Sequence, residues 1–367
     1  MAAGKLIMKL SVIIPTHNRG KQLKQGIGSV LKIINESDCE LIVVDNNSSD
    51  GTRKIIKGYK NTRYVFENST SFSKARNTGA TMAKGKILLY LDDDVIIQKG
   101  SLISTIQVFE KYKDCGVIAG RILPKFIRKP PKWTLECQKS FNGWSLYNSD
   151  QIPDLKDDIQ EVTWAAGPAM AIRHDLFNQI GGFPPDTVGV ETNNTEGLFE
   201  KLYIGPGDYG VCYMIRKIGF KLYYSSKLSV FHIISPIRLS ISFWRSRIIG
   251  EGQHEAITQR GMYHLNVIKA LKKRIMFKNK LKDYQRRYLY QLSALKNQIG
   301  KDKLLPEELW ILYYKAYLDM DRILRKYPKL WKYLWKIGAD GVENQNYNSV
   351  VRALPEEYLS LLSKKYI

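Results

Sequence analysis

Short apolar runs alternate with amphipathic stretches through the first half of the chain. Leu10-Ser11-Val12-Ile13-Ile14 has strand character, and after a polar turn Lys21 to Asn35 carries apolar residues at helical spacing, which makes one β-α unit. Glu40-Leu41-Ile42-Val43-Val44 predicts a second strand ending at Asp45, Asn46 to Gly51 a turn, and Thr52 to Tyr59 a helix. Arg63 to Glu67 predicts a third strand, Ser71 to Lys84 a helix, and Lys86 to Leu91 a fourth strand. A helix from Ser101 to Tyr112 and a strand from Gly116 to Gly120 follow, then a loop region from Pro124 to Asp158 without clear periodicity. Val162 to Ile172 resumes a strand pattern, His174 to Ile180 and Tyr209 to Ile218 are helical, and Lys221 to Tyr224 and Ser229 to His232 are strand-like. Uninterrupted apolar strands interleaved with helices imply an α/β fold with a mostly parallel sheet covered on both faces.

From about Ser240 the pattern changes to long helical stretches rich in Lys, Arg and Tyr, so a boundary is expected near Pro236, with domains at 1–238 and 239–367. At 367 residues two domains are the natural expectation. The net charge is +22 and the pI near 9.6, and the segment from Ser240 onward holds 25 basic and 12 acidic residues. Such a balance points to a polyanionic partner, whether phosphorylated substrates, an anionic membrane surface or nucleic acid, or else reflects a lysine-rich, AT-biased proteome. No apolar run is long enough for a transmembrane helix, and Met1 to Lys9 leads directly into the first strand, which argues against a signal peptide. Cys39, Cys115, Cys137 and Cys212 show no paired spacing, against zinc sites and a disulfide framework, and a cytoplasmic setting is expected.

In open α/β sheets ligands bind beyond the carboxyl ends of the strands, and polar signatures stand there on three of them: Pro15-Thr16-His17-Asn18-Arg19, Asp45-Asn46-Asn47 and Asp92-Asp93-Asp94. Three consecutive carboxylates after a buried strand repel one another and resist burial. They persist where a hard cation or hydrogen-bond donors compensate them, and a divalent metal carrying phosphates meets that need. A solvated acidic turn is the plainer alternative.

Taken in order, these segments resemble the family 2 glycosyltransferases of GT-A (Rossmann-like) fold, over about residues 9 to 235. Ser11 to Arg19 is similar to the family's opening strand and nucleotide loop, Val43 to Thr52 to its second signature, and Ala75-Arg76-Asn77-Thr78-Gly79-Ala80 to its third; Asp92-Asp93-Asp94 stands at its metal-binding acidic motif. The resemblance implies an inverting transfer of a sugar from a nucleoside diphosphate donor, preferably a UDP-sugar, with Mn²⁺ or Mg²⁺ as cofactor. Asp94 is the leading metal ligand, and His232 either completes the coordination or is structural. Asp92 faces the ribose or supports the metal through water and Asp93 positions the nucleotide, in a cleft that Pro15, Thr16, Asn18, Arg19, Asp45 and Asn47 line. Asp45 is placed either to accept the uracil N3 proton or to cap its own turn. Arg76 offers fork donors for phosphate, or is a surface helix arginine.

Attack by an acceptor hydroxyl needs a base opposite the leaving group. Gly205 to Cys212 resembles the family segment in which an acid opens a helix, so Asp208 is the candidate, although an Asp there also caps a helix. The family's usual Glu before that Asp is replaced by Gly207, and the long stretch Pro184 to Ile204 holds Glu191, Glu196 and Glu200, any of which is an alternative base. Trp164 and Gly167 fall where the family forms its acceptor pocket, with core packing an equal account of Trp164. The cations between Lys269 and Arg287, with aromatics farther on as in Trp331-Lys332-Tyr333, suit either a monolayer-bound surface that meets a lipid-linked saccharide acceptor or the solvated faces of a helical domain. Nucleic acid is not expected, for want of a reading module. The rivals are a nucleotidyltransferase, which should carry a glycine-rich basic loop where Pro15 to Arg19 stands, and a non-catalytic glycan- or lipid-binding scaffold, which should have lost its acids.

Overall fold

The computed structural model describes residues 8–36, 38–141, 146–152, 154–155, 157–184, 207–263, 267–294 and 306–326. Two compact units divide the chain: Met1–Phe126, Tyr147–Pro185 and Gly207–Ile234 form one, and Ile127–Leu146, Asp186–Pro206 and Ser235–Ile367 the other.

The first unit begins with β1 (Leu10–Thr16), α1 (Gly20–Leu31), β2 (Cys39–Asn46), α2 (Thr52–Lys57), β3 (Arg63–Glu67), α3 (Phe72–Met82) and β4 (Ile87–Leu91). It continues with β5 (Val95–Ile97), α4 (Ser101–Lys111) and β6 (Cys115–Phe126); α5 (Lys132–Ser140) belongs to the second unit. β7 (Ile159–Val162), β8 (Ala169–Arg173), α6 (His174–Gln179), α7 (Gly207–Lys217) and β9 (Lys221–Ile234) complete it. The sheet runs β3-β2-β1-β4-β8-β6-β9-β5, with β7 also pairing β9. The strands β1, β2, β3, β4, β6 and β9 share one direction, and β5, β7 and β8 oppose it.

The continuous apolar runs follow from burial on both faces. Leu10, Val12 and Ile14 of β1 join Leu23, Ile27 and Val30 of α1 and Leu102, Ile106 and Phe109 of α4 on one face. Ile13 joins Ala75 and Ala80 of α3, Leu176 and Phe177 of α6 and Val211 and Ile215 of α7 on the other. Each such aliphatic side chain contributes about 1.5–3 kcal/mol on burial, so neither face tolerates the polar alternation of a half-exposed strand.

Four expectations need correction. Val162 to Ile172 is not one strand: Gly167-Pro168 interrupts it, because proline has no amide to give a ladder, and the halves pair different neighbours, β7 with β9 and β8 with β4. The two strands expected from Lys221 are one long β9, in which Ser226-Lys227-Leu228 loop out as the register against β6 jumps between Gly120 and Arg121. The region from Pro124 to Asp158 is not structureless, since β6 continues to Phe126 and α5 follows. The short β5 has too few residues to show periodicity and was not anticipated. Glu191, Glu196 and Glu200, and Trp331-Lys332-Tyr333, lie outside the described residues.

In the second unit α8 (Ile241–Tyr263), α9 (Val267–Ala294) and α10 (Pro306–Lys326) pack through aromatic rings. Phe277 of α9 meets Tyr313, Tyr314 and Tyr317 of α10 with centroids 6.0, 4.9 and 4.4 Å apart, and Tyr284 stacks on Trp310 at 5.7 Å. α5 joins them through Trp133 on Trp244 and Phe141 on Trp310. Part of the basic run is consumed internally: Arg274 pairs with Asp321 at 2.8 Å, Lys273 with Glu255 at 2.5 Å and Arg287 with Asp283 at 2.8 Å. Lys272, Lys278, Lys280, Lys282 and Arg286 are exposed, as are Leu271, Ile275 and Met276.

Candidate active site

Parallel pairing brings the candidate residues together. Thr16 at the end of β1 stands opposite Asp45 at the end of β2, and on its other side Ile13 is level with Tyr90 of β4, which sets the Asp92–Asp94 turn beside Thr16. The antiparallel pairing of β5 with β9 puts Val95 opposite His232, and the Ile233 amide donates to the Asp94 carbonyl at 2.8 Å.

The three carboxylates divide between two arginines. Thr16 Oγ1 donates to Asp93 Oδ2 at 2.7 Å, and Arg19 Nη1 donates to Asp93 Oδ1 at 3.0 Å and Asp94 Oδ2 at 3.3 Å. Asp93 and Asp94 are both buried. Burial, with Asp94 and Asp92 adding like charge, pushes Asp93 up to about 6 even though Arg19 and Thr16 oppose the shift. Burial likewise raises Asp92, against the pull of Arg76. Two guanidinium groups therefore undercompensate this turn, which is where further positive charge is stabilised.

His232 is 4% exposed, and its Nε2 lies 3.3 Å from Asp94 Oδ1 without hydrogen-bond alignment; among the described residues neither ring nitrogen makes a hydrogen bond. A buried imidazole with an unengaged nitrogen beside a carboxylate fits a divalent cation that takes its remaining ligands from water or phosphate oxygen. No group of three or more His, Cys, Asp or Glu side chains able to hold a metal occurs among the described residues.

Arg76 of α3 is 3% exposed. Its Nη1 donates to Asp208 Oδ1 at 2.5 Å and its Nη2 to Asp92 Oδ1 at 3.3 Å, while Asp208 Oδ2 accepts the Gly167 amide at 2.8 Å. The guanidinium carbon sits 4.1 Å from the Phe72 ring centroid and 4.8 Å from that of Phe183. Burial works against this charge, but Asp208 and Asp92 outweigh it and hold the group protonated above its ordinary range. Arg76 is thus not a surface arginine. Phe72 and Phe183 escaped the sequence reading, since an aromatic after Ser71 or after Gly182 carries no signal of what it will cover.

Asp45 is 1% exposed, with Oδ1 accepting the Ser48 amide at 3.0 Å and Oδ2 the Tyr64 hydroxyl at 3.1 Å. It caps its own turn, and a base N–H would have to share the carboxylate with Ser48 and Tyr64. Asn18 and Asn47 both take left-handed backbone, φ 52° and 58°. Asn18 Oδ1 accepts the Ser49 amide at 2.8 Å and so ties the two strand-end loops together, while Pro15 is buried within β1. Trp164 is half-buried, edge-on to Tyr147 at 5.8 Å, and packs on both core faces. A Cβ at Gly167 would fall 2.6 Å from Asp208 Oδ2, so the glycine makes room for the ion pair. A cavity of about 620 Å³ beside α1 and β5, with Lys24, Lys32 and Lys99 in its wall, contains none of these carboxylates.

Residues 11–181 match the family described as Glycosyl transferase family 2. The chain is 38% identical over 100 residues to poly(ribitol-phosphate) beta-N-acetylglucosaminyltransferase TarP of Staphylococcus aureus, covering 26% of this chain and 31% of that protein. It is 24% identical over 229 residues to O-antigen chain rhamnosyltransferase WbaN of Salmonella anatum, covering 60% and 65%. The matched segments thus span less than two thirds of either relative. A mannosyltransferase from Pyrobaculum calidifontis, solved with GDP-Man and Mn²⁺, aligns at 17% identity and a TM-score of 0.47 over 96% of this chain and 85% of its own, a remote likeness from which no property is carried over.

Proposed function

The chain belongs to glycosyl transferase family 2 through residues 11–181, and on that premise we propose that it moves a sugar from a nucleoside diphosphate donor to a glycan or lipid-linked saccharide acceptor, with inversion, in polysaccharide or glycan biosynthesis. The observation that carries the proposal is the buried, undercompensated turn Asp92-Asp93-Asp94 at the carboxyl end of a parallel strand, bracketed by Arg19 and Arg76. A leaving diphosphate brings more negative charge to such a turn and needs a compensating cation. Asp94 and His232 are the residues that would hold a divalent cation, Mn²⁺ or Mg²⁺, whose chemistry is to neutralise the charge developing on the departing diphosphate. Thr16 and Arg19 fix Asp93, and so the shape of the nucleotide side, while Pro15, Asn18 and Asn47 shape the adjoining loops. Asp208, its side chain 28% exposed, is the base for the acceptor hydroxyl. Because Asp45 is engaged by Tyr64, it supports UDP less directly than its position in the sequence suggests, and UDP-sugars are simply the first donors to try.

The test is release of nucleoside diphosphate from a panel of UDP-, GDP- and dTDP-sugars with Mn²⁺, beside Asp94→Ala and Asp208→Asn. Turnover with one donor, strongly reduced but measurable in Asp208→Asn, lost in Asp94→Ala and with the product anomer inverted by NMR, is expected. No release from any donor, or undiminished turnover in Asp94→Ala, refutes the reading.

The exposed face of α9, with Leu271, Ile275 and Met276 beside Lys272, Lys278 and Lys282, supports docking on an anionic membrane surface. Co-sedimentation with phosphatidylglycerol vesicles that rises with anionic lipid and falls with salt is expected; binding indifferent to both removes this part. No described helix is long and apolar enough to cross a membrane.

A further inference from the structure

Arg76 resembles a phosphate ligand by sequence, yet its side chain is 4% exposed while those of Asp92 and Asp208 are 22% and 28% exposed. A ligand entering from solvent meets the carboxylates, with the guanidinium behind them. Its Nη1 donates to Asp208 and its Nη2 to Asp92, and the guanidinium carbon lies 4.1 Å from the Phe72 ring centroid and 4.8 Å from that of Phe183. The fork geometry is what permits this; a lysine has one charge centre and cannot meet two carboxylates in fixed directions. Gly167 completes the arrangement by donating its amide to the second Asp208 oxygen where no Cβ would fit.

We infer that Arg76 is a positioning residue, not a phosphate ligand: it clamps Asp208 of α7 to Asp92 of the acidic turn and so sets the base at a fixed place relative to the donor side. The inference rests on the glycosyltransferase reading for its catalytic consequence, but the clamp itself is a matter of geometry. It holds both Asp208 oxygens, Oδ1 on Arg76 and Oδ2 on the Gly167 amide, in a side chain that remains 28% exposed.

The experiment is a double-mutant cycle of Arg76→Gln and Asp208→Asn, read as kcat and donor KM for the best donor of the panel, with melting temperatures of all four proteins. Since a misplacement of about 1 Å can cost roughly a hundredfold in rate, Arg76→Gln should lower kcat by about 30- to 100-fold while donor KM moves less than about threefold. In the Asp208→Asn background the same change should cost less than about threefold, because the group it positions is gone. Arg76→Lys should fall between Arg76→Gln and wild type. Gly167→Ala, which alters no charge, should lower kcat with donor KM held, and covers the case in which Arg76→Gln fails to fold. Multiplicative losses with a raised donor KM overturn the clamp and leave the glycosyltransferase reading standing. Undiminished turnover in Asp208→Asn overturns the clamp's catalytic role together with Asp208 as base. If no donor turns over, the glycosyltransferase reading falls and the melting cycle decides the clamp alone: non-additive shifts uphold it and additive shifts overturn it.

Discussion

Replacing Thr16 by valine should destabilise the first unit more than removing the arginine that binds the same carboxylate. Thr16→Val keeps the side-chain volume and deletes one hydroxyl, the donor to Asp93 Oδ2 at 2.7 Å. Thr16 is 3% exposed and Asp93 5%, so no water replaces the lost partner. A hydrogen bond to a charged, buried acceptor is worth about 1.5–3 kcal/mol. Arg19 reaches two carboxylates, but its side chain is 45% exposed, and solvent screening reduces such a pair to about 0.2–1 kcal/mol. For a unit of this size, about 2–4 °C of melting temperature per kcal/mol gives a drop of roughly 3–12 °C for Thr16→Val and about 1–8 °C for the two pairs lost in Arg19→Ala. The melts should be followed by far-UV circular dichroism and tryptophan fluorescence together, because two units need not unfold in one step. They should be run at about pH 7.5, above the Asp93 value of about 6, so that the acceptor is ionised. A loss in Arg19→Ala equal to or larger than that in Thr16→Val would refute the reasoning that burial, not formal charge, decides this contact.

Further outcomes follow from single atoms. The Tyr90 hydroxyl is fully buried with no hydrogen-bond partner among the described residues, so Tyr90→Phe should leave the melting temperature unchanged or raise it by the relief of up to about 1–3 kcal/mol of uncompensated desolvation; a fall of several degrees would show a partner for that oxygen. A Cβ at Gly85 would lie 2.5 Å from the Ser11 amide nitrogen and 2.6 Å from the Leu10 carbonyl carbon, backbone of β1 that has nowhere to go, and Gly85→Ala should abolish soluble expression or lower the melting temperature sharply. Burial pushes the Cys115 and Cys212 thiols up to about 12, so thiolate is scarce near pH 8, and native labelling with a disulfide reagent should modify half-buried Cys39 first and reach all four only after denaturation. Mn²⁺ should raise the melting temperature of the wild type and not of Asp94→Ala or His232→Ala; an unchanged shift in both would remove these residues as ligands.

The β-α repeat of the first half was legible because a sheet buried on both faces demands apolar residues at consecutive positions, and Arg63–Glu67 matches its expected bounds. What misled the reading were segments whose partners are remote: β5 is an element only because β9 lies beside it, and Val162 to Ile172 splits because its two halves face different neighbours.

The same division holds at the site. Charge and position at strand ends singled out Asp92, Asp93, Asp94 and Arg19, since three carboxylates at a strand end require compensation wherever they fold, whereas Arg76, Asp208 and His232 were singled out through the resemblance to family 2 glycosyltransferases. How they are shared was decided in three dimensions. Asp45 is taken by Tyr64 of β3, Arg76 is closed off by Phe183 and by two acids lying 16 and 132 residues along the chain, and Gly167 is glycine because Asp208 and Arg76 need its missing Cβ. Local pattern reports the cost a residue carries into the fold. Which neighbour offsets that cost depends on strand register and on helices packed from distant segments, and those exist only once the chain has closed on itself.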